Sequence, residues 1–282
     1  MAMKEIVVAI DFSKGSVRAL EYAIELSNLT HAGITMVWVD NISINEITLP
    51  SDVKDLRNDA KKNLEELILQ YKDSVKYAQL SYKIRKGKVY QELAAFVKQY
   101  ECALMIVGAH GQSGFEEYWI GTNAFRIVSS ASCPVITVKS NYDITRGLRK
   151  IVFPVDHTQQ TIQKVTYVAA IAKATCADVN ILAINSSQLH SIQKVVDSNV
   201  ARVKKHLDSQ DVNYMVDTIT VDNLAADIIE HARMVDADLI AIVKDGNDKA
   251  ATIMMGQYAQ QLINYSPVPV LSIQPSNTFT IN

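Results

Sequence analysis

Short β-branched apolar runs alternate along the chain with longer stretches in which apolar residues recur every three or four positions. The first run, 4–11 (KEIVVAID), ends in aspartate, and a later one, 150–156 (KIVFPVD), ends the same way. Such runs suit strands covered on both faces. Each leads into a stretch of helical period, with Val17, Leu20 and Ile24 on one face in the first and Ile162, Val165, Ala169 and Ala172 in the second. The succession continues in register. ITMVWVD (34–40) is answered by VNILAIN (179–185), and a helix over 52–72, striped by Val53, Leu56, Ala60, Leu64 and Leu67, by one over 189–207. A third strand alternates at Leu80, Tyr82 and Ile84 and returns near 214–221; ALMIV (103–107) returns as DLIAIV (238–243). PVITVK (134–139) and PVPVLSIQ (267–274) close the two copies.

Strands alternating with helices predict βαβ units and a parallel sheet. The chain is therefore expected to be α/β, as two tandem copies of one domain. The stretch 140–148 (SNYDITRGL) is largely polar and contains Gly147, which places the linker there and the domains at 1–143 and 149–282. Each closing strand is predicted to lie at a sheet edge, where it invites pairing.

Composition narrows the function classes. Apolar residues make up 48% and charged residues 21% of the chain, the balance of a soluble globular protein. A formal charge of −2 argues against a nucleic-acid or anionic-membrane surface. The first residues read as a strand rather than a signal peptide, and no run approaches the roughly 18 apolar residues of a membrane span, so a cytoplasmic location is predicted. Cys102, Cys133 and Cys176 lack metal or redox spacing and are expected to be small buried hydrophobes.

The chemistry concentrates in 107–124 (VGAHGQSGFEEYWIGTNA). Gly108 and Gly111 stand three apart, and Gly121-Thr122 follows after nine intervening residues, where a helix is predicted to start. Glycine lets a backbone approach a ligand and adopt positive φ. Thr122 at a helix N-terminus adds a hydroxyl and free amides where the helix dipole favours an anion. Ligands of open parallel sheets settle at the carboxyl ends of strands where the winding reverses, which would put Asp11 and Gly108 on one crevice. Asp11 could accept a hydrogen bond from a sugar or base there, or merely cap the helix beginning near Ser13.

The spacing Gly108-x2-Gly111-x9-Gly121-Thr122, with Asp11 after the first strand and the Cys133-Pro134-Val135 ending, resembles the universal stress protein family over essentially the whole chain, as a tandem type. The resemblance implies two flavodoxin-like (Rossmann-like) domains, each a five-stranded parallel sheet in the order 3-2-1-4-5 flanked by helices. It also implies ATP along the loop, with or without Mg²⁺; ADP and AMP stay open. By that resemblance Asp11 and the backbone of Val39 contact the adenosine end. Gly108, Gly111, Gly121 and Thr122 line the ribose and phosphates, with Asn123 an extra donor. His110 either touches a phosphate or is a solvated loop histidine. Family members dimerise through the last strand, so the two halves are expected to form an internal pseudo-dimer, with a further homodimer open.

The second copy departs from this pattern: its loop reads Val243-Lys-Asp-Gly246, nine residues, then Gly256-Gln257. Valine suits positive φ poorly, and Asp245 brings negative charge to any phosphate path, opposed by Lys244 and Lys249. That half is expected to bind no ATP and to be structural or regulatory, the alternative being a different ligand that the sequence does not name. The other histidines show no metal spacing and no exposed nucleophile motif appears, so neither catalytic nor metal-ligating residues are predicted. Three functions remain in view: a nucleotide-binding stress or signalling protein, a weak ATPase, and an interaction protein that binds no nucleotide.

Overall fold

In a computed structural model of the chain, residues 3–41, 50–100, 103–109, 120–158, 160–187, 189–244 and 256–274 are described, the side chains of 50–54 and 103 excepted. The first half runs β1 (Glu5–Ala9), α1 (Lys14–Thr30), β2 (Gly33–Asp40), α2 (Pro50–Tyr71), β3 (Leu80–Lys86), α3 (Val89–Val97), β4 (Ala103–Gly108), α4 (Thr122–Ser130) and β5 (Val135–Val138). After a 3-10 turn at Ile144–Arg146, the second half follows as β6 (Lys150–Val155), α5 (Gln160–Gln163), α6 (Val165–Thr175), β7 (Asp178–Asn185), α7 (His190–Ser209), β8 (Tyr214–Thr220), α8 (Leu224–Met234), β9 (Leu239–Val243), α9 (Gln257–Tyr265) and β10 (Val270–Ile273).

The strands form one ten-stranded sheet in the order β3-β2-β1-β4-β5-β10-β9-β6-β7-β8. Each half thus has the order 3-2-1-4-5 with parallel pairs, and the halves meet at one antiparallel pair, β5 with β10. The closing strands are therefore central in the molecule, and the edges belong to β3 and β8. Ile136 pairs with Leu271, and these occupy equivalent positions, since Ile136 lies beside Ile106 in β4 and Leu271 beside Ala241 in β9. A local two-fold relation passes between them, the self-complementary contact that two copies of one surface make. All four residues of β5 and of β10 are buried.

The linker is tied down rather than loose. Asp238, 1% exposed, accepts from the Arg146 guanidinium at 3.2 Å and from the amides of Arg149 and Lys150 at 2.9 and 3.1 Å. Tyr142 and Leu148 bury their side chains, so a polar-looking segment docks through two apolar residues. Gly147 turns the chain with φ 70 and ψ −170, a backbone that only glycine adopts readily.

Besides the closing strands, predicted at sheet edges but central because they pair with each other, three expectations need correction. The helix after β6 is not continuous: it divides at Lys164 into α5 and α6. In the α2 stripe, Ala60, Leu64 and Leu67 are buried, but Leu56 is 42% exposed because it faces a cleft; the Val53 side chain lies outside the described ones. Cys176 is exposed, since it ends α6 in the left-handed conformation, which turns it out of the core.

Candidate functional site

The winding direction reverses between β1 and β4, and a cleft of about 560 Å³ opens where these strands end. Six predicted positions line it: Asp11, Val39, Gly108, Gly121, Thr122 and Asn123. His110 and Gly111 lie outside the described residues.

Each position reaches the cleft for a local reason. Asp11 leaves β1 in a tight turn, its Oδ1 accepting from the Ser13 amide at 3.0 Å. Ser13 then caps α1, its hydroxyl oxygen accepting from the Ser16 amide at 3.2 Å. Phe12, between them, is held at φ 64, a left-handed backbone that costs a side-chain-bearing residue roughly 1–2 kcal/mol. Such strain persists only where the surroundings impose it.

Val39 contributes backbone. In a parallel ladder a residue turns both of its backbone groups to one neighbour, and the next residue turns to the other. The Val37 carbonyl accepts from the Ile10 amide beside β1, while the Asp40 carbonyl accepts from Gly87 on the β3 side. Val39 therefore faces the β1 side, past the end of that strand and onto the cleft.

Gly121 caps α4 with φ −60 and ψ 147, its amide donating to the Ala109 carbonyl at 2.8 Å. Thr122 and Asn123 follow as the exposed first residues of that helix, whose leading amides have no partner within the helix. Neither Gly108 nor Gly121 adopts the positive φ expected of them. At Gly108 the missing side chain serves packing instead: a Cβ there would come 2.6 Å from the Gly15 carbonyl carbon and 2.9 Å from the Ser16 nitrogen.

Sequence reasoning missed the α2 wall. Leu56, Asp59, Ala60 and Asn63 line the cleft from that helix. Arg57 anchors it by donating from Nε to the buried Asp40 carboxylate at 2.7 Å. The signal was available, since Asp40 ends an apolar strand where a buried carboxylate requires a partner. Among the described residues no lysine or arginine lines the cleft, so a bound anion would be met by backbone amides and hydroxyls.

The corresponding crevice of the second half is smaller, about 100 Å³, and is lined by Asp156, Thr158, Lys164 and Val243 among others. Asp156 repeats the Asp11 turn, its Oδ1 accepting from the Thr158 amide at 2.9 Å. The difference lies in what fills the space. Lys164 stands eight residues after Asp156, where Ala19 stands eight after Asp11. It is buried, donates from Nζ to the Pro154 carbonyl at 2.6 Å and lies over the Phe153 ring. Burial lowers its pKa to about 8, partly opposed by Asp156. Nothing in the sequence pattern marked it, because one lysine in a helix reads as solvated. Val243 stands where the first half has Gly108, and the helix that follows β6 is divided at Lys164.

Two other polar residues have structural places. Lys244 does not stand beside a phosphate path: its side chain is buried, and Nζ donates to the carbonyls of Val128 and Ala131 in the first half. His231 is buried with its Nε2 2.9 Å from the Asn180 Oδ1, and Asn180 in turn donates to Asp217. Among the described residues no helix is long and apolar enough to cross a membrane.

Comparison with known proteins agrees with this architecture. Residues 3–139 and 147–274 each match the model of the universal stress protein family. Over 145 residues the chain is 25% identical to a universal stress protein of Bacillus subtilis, covering 48% of this chain and 98% of that one. It is 24% identical over 145 residues to one of Methanocaldococcus jannaschii, covering 48% and 82%. A crystal structure of a universal stress protein from Archaeoglobus fulgidus shares the fold with a TM-score of 0.78 at 16% identity, over 96% of this chain and 98% of that one.

Proposed function

The chain belongs to the universal stress protein family, and from that premise we propose that it is an adenine-nucleotide-binding protein of stress response or signalling, with its site in the cleft of the first half. One observation carries this: Asp11, the backbone of Val39 and the N-terminus of α4 converge on a single cleft of about 560 Å³. That volume falls within the roughly 300–1,000 Å³ of small-molecule sites. The outward-facing backbone of Val39 suits the edge of an adenine, Asp11 suits ribose hydroxyls, and the leading amides of α4 suit phosphates, alone or with Mg²⁺.

Binding is what this arrangement supports, rather than turnover. Amides and a helix dipole hold a phosphate in ground state and transition state alike, so they give affinity without rate. The second half, with its small crevice and its buried Lys164, acts as a structural and regulatory partner, and the pairing of β5 with β10 makes the chain an internal pseudo-dimer.

Calorimetric titration with ATP, with and without Mg²⁺, tests the proposal. Saturable binding that Thr122→Val weakens supports it. Absence of binding to the full chain, with no thermal shift, favours an interaction protein without a nucleotide.

A further inference from the structure

The helix whose first turn faces the cleft is gripped at both ends by the other half of the chain. At its C-terminal end, the Lys244 ammonium donates to the Val128 carbonyl at 2.5 Å and the Ala131 carbonyl at 3.0 Å. A cation there satisfies carbonyls that lack partners within the helix and meets the negative end of its dipole. Just ahead of its N-terminal end, the Ile120 amide donates to the Asn264 Oδ1 at 2.5 Å. Asn264 lies in α9 and is 3% exposed; Lys244 follows β9 and is 4% exposed.

The grip runs one way. With Ile136 and Leu271 as equivalent positions, Lys244 corresponds to Ala109 and Asn264 to Ser129. Ala109 has no polar side chain, and the Ser129 hydroxyl donates to Phe125 in its own helix at 2.8 Å. The first half thus returns neither contact to α9 from these positions. Burying a lysine and an asparagine side chain carries a desolvation cost that an apolar pair would avoid, so their presence at both ends of one helix calls for a role beyond filling the interface.

We propose that the second half sets the position of α4 through Lys244 and Asn264, and with it the aim of the amides that face the cleft. In this view the second half, whose own crevice is small, is a positioning element for the ligand of the first. The consequence for affinity rests on the nucleotide reading given above. The consequence for α4 itself does not.

The test uses the full chain as wild type and as Asn264→Ala, Lys244→Met and Lys244→Arg, each compared by circular dichroism for intact fold. Amide hydrogen exchange without ligand follows residues 122–130, with β7 as an internal reference. In Asn264→Ala and Lys244→Met, α4 should exchange roughly tenfold faster, in line with loss of a hydrogen bond to a buried or charged group, while β7 is unchanged. Lys244→Arg, which keeps the cation, should restore most of the protection. ATP affinity should fall by about the same factor and recover with arginine. Unchanged exchange in α4 in both variants overturns the proposal, as does a loosened α4 with ATP bound as tightly as by wild type. If wild type binds no ATP, the nucleotide reading fails while the exchange data still decide the grip on α4.

Discussion

Gly108 and Gly15 approach so closely that a Cβ on Gly108 would stand 2.6 Å from the Gly15 carbonyl carbon. The glycine that ends β4 is thus required by the helix behind it before any ligand arrives. The three atoms in the way, the Gly15 carbonyl carbon and oxygen and the Ser16 nitrogen, are all backbone, so none can swing aside. Gly108→Ala should therefore lower stability by about 1–3 kcal/mol in the ligand-free protein, the usual cost of overpacking. Urea unfolding reads this directly, and an unchanged midpoint would mean that α1 can retreat at no cost.

Asp11 holds a turn and faces the cleft, and two substitutions separate these roles. Asn at this position keeps an oxygen to accept from the Ser13 amide, so Asp11→Asn should stay within about 0.5 kcal/mol of wild type in stability. It should nonetheless weaken ATP binding, because a neutral amide accepts more weakly from ribose hydroxyls than a carboxylate. Asp11→Ala loses the turn as well and should cost about 1 kcal/mol, as lost caps do. If Asp11→Asn binds ATP like wild type, the carboxylate serves the turn alone.

The strands were legible because fully buried parallel strands write themselves as unbroken β-branched runs, and the repeat made each one visible twice. Glycine spacing likewise brought Gly108, Gly121, Thr122 and Asn123 to one place. What the glycines do was less legible: the same missing Cβ that admits a ligand also admits a helix, and Gly15 lies too far along the chain for spacing to reveal it. Lys164 and Lys244 were hidden for a different reason. Lysine is read as solvent-facing, and only the three-dimensional course of Pro154, Val128 and Ala131 shows carbonyls waiting for each ammonium. The Arg57–Asp40 pair joins elements across a stretch whose length gives no clue to its path.

Both buried lysines make stability depend on pH, in a direction that follows from their burial. Their pKa values fall from 10.5 to about 8 in the folded protein. Below pH 8 both states carry the proton, and the cost of burying charge is fully present. Between pH 8 and 10.5 the unfolded chain holds the proton and the folded one has released it, so stability rises by up to about 1.4 kcal/mol per pH unit for each lysine. Cys133, pushed up to about 11, and Tyr71 and Tyr142, pushed up to about 12, act in the opposite sense at the upper end. The difference between wild type and Lys164→Met isolates one lysine: it should shift in favour of wild type as pH rises from 8 to 10. A difference that stays constant over that range would place the Lys164 amine in contact with water.

Occupancy should be unequal between the halves, at one adenine nucleotide per chain. The asymmetry has three physical sources. The second crevice has about 100 Å³ against about 560 Å³, too little for a nucleotide. Lys164 places its ammonium on the Pro154 carbonyl at the end of β6, where the first half has the small Ala19. Gln257 begins α9 where Thr122 begins α4, although both helices start from a glycine in nearly the same conformation, φ −56 at Gly256 and φ −60 at Gly121. The backbone frame of an anion site thus survives in the second half, while side chains close the space in front of it. Titration with ATP should accordingly give a stoichiometry near one, abolished by bulky substitution at Gly121 and untouched by the same change at Gly256. Two nucleotides per chain would show that Lys164 and Val243 move aside on binding, and that the two halves share a task as well as a fold.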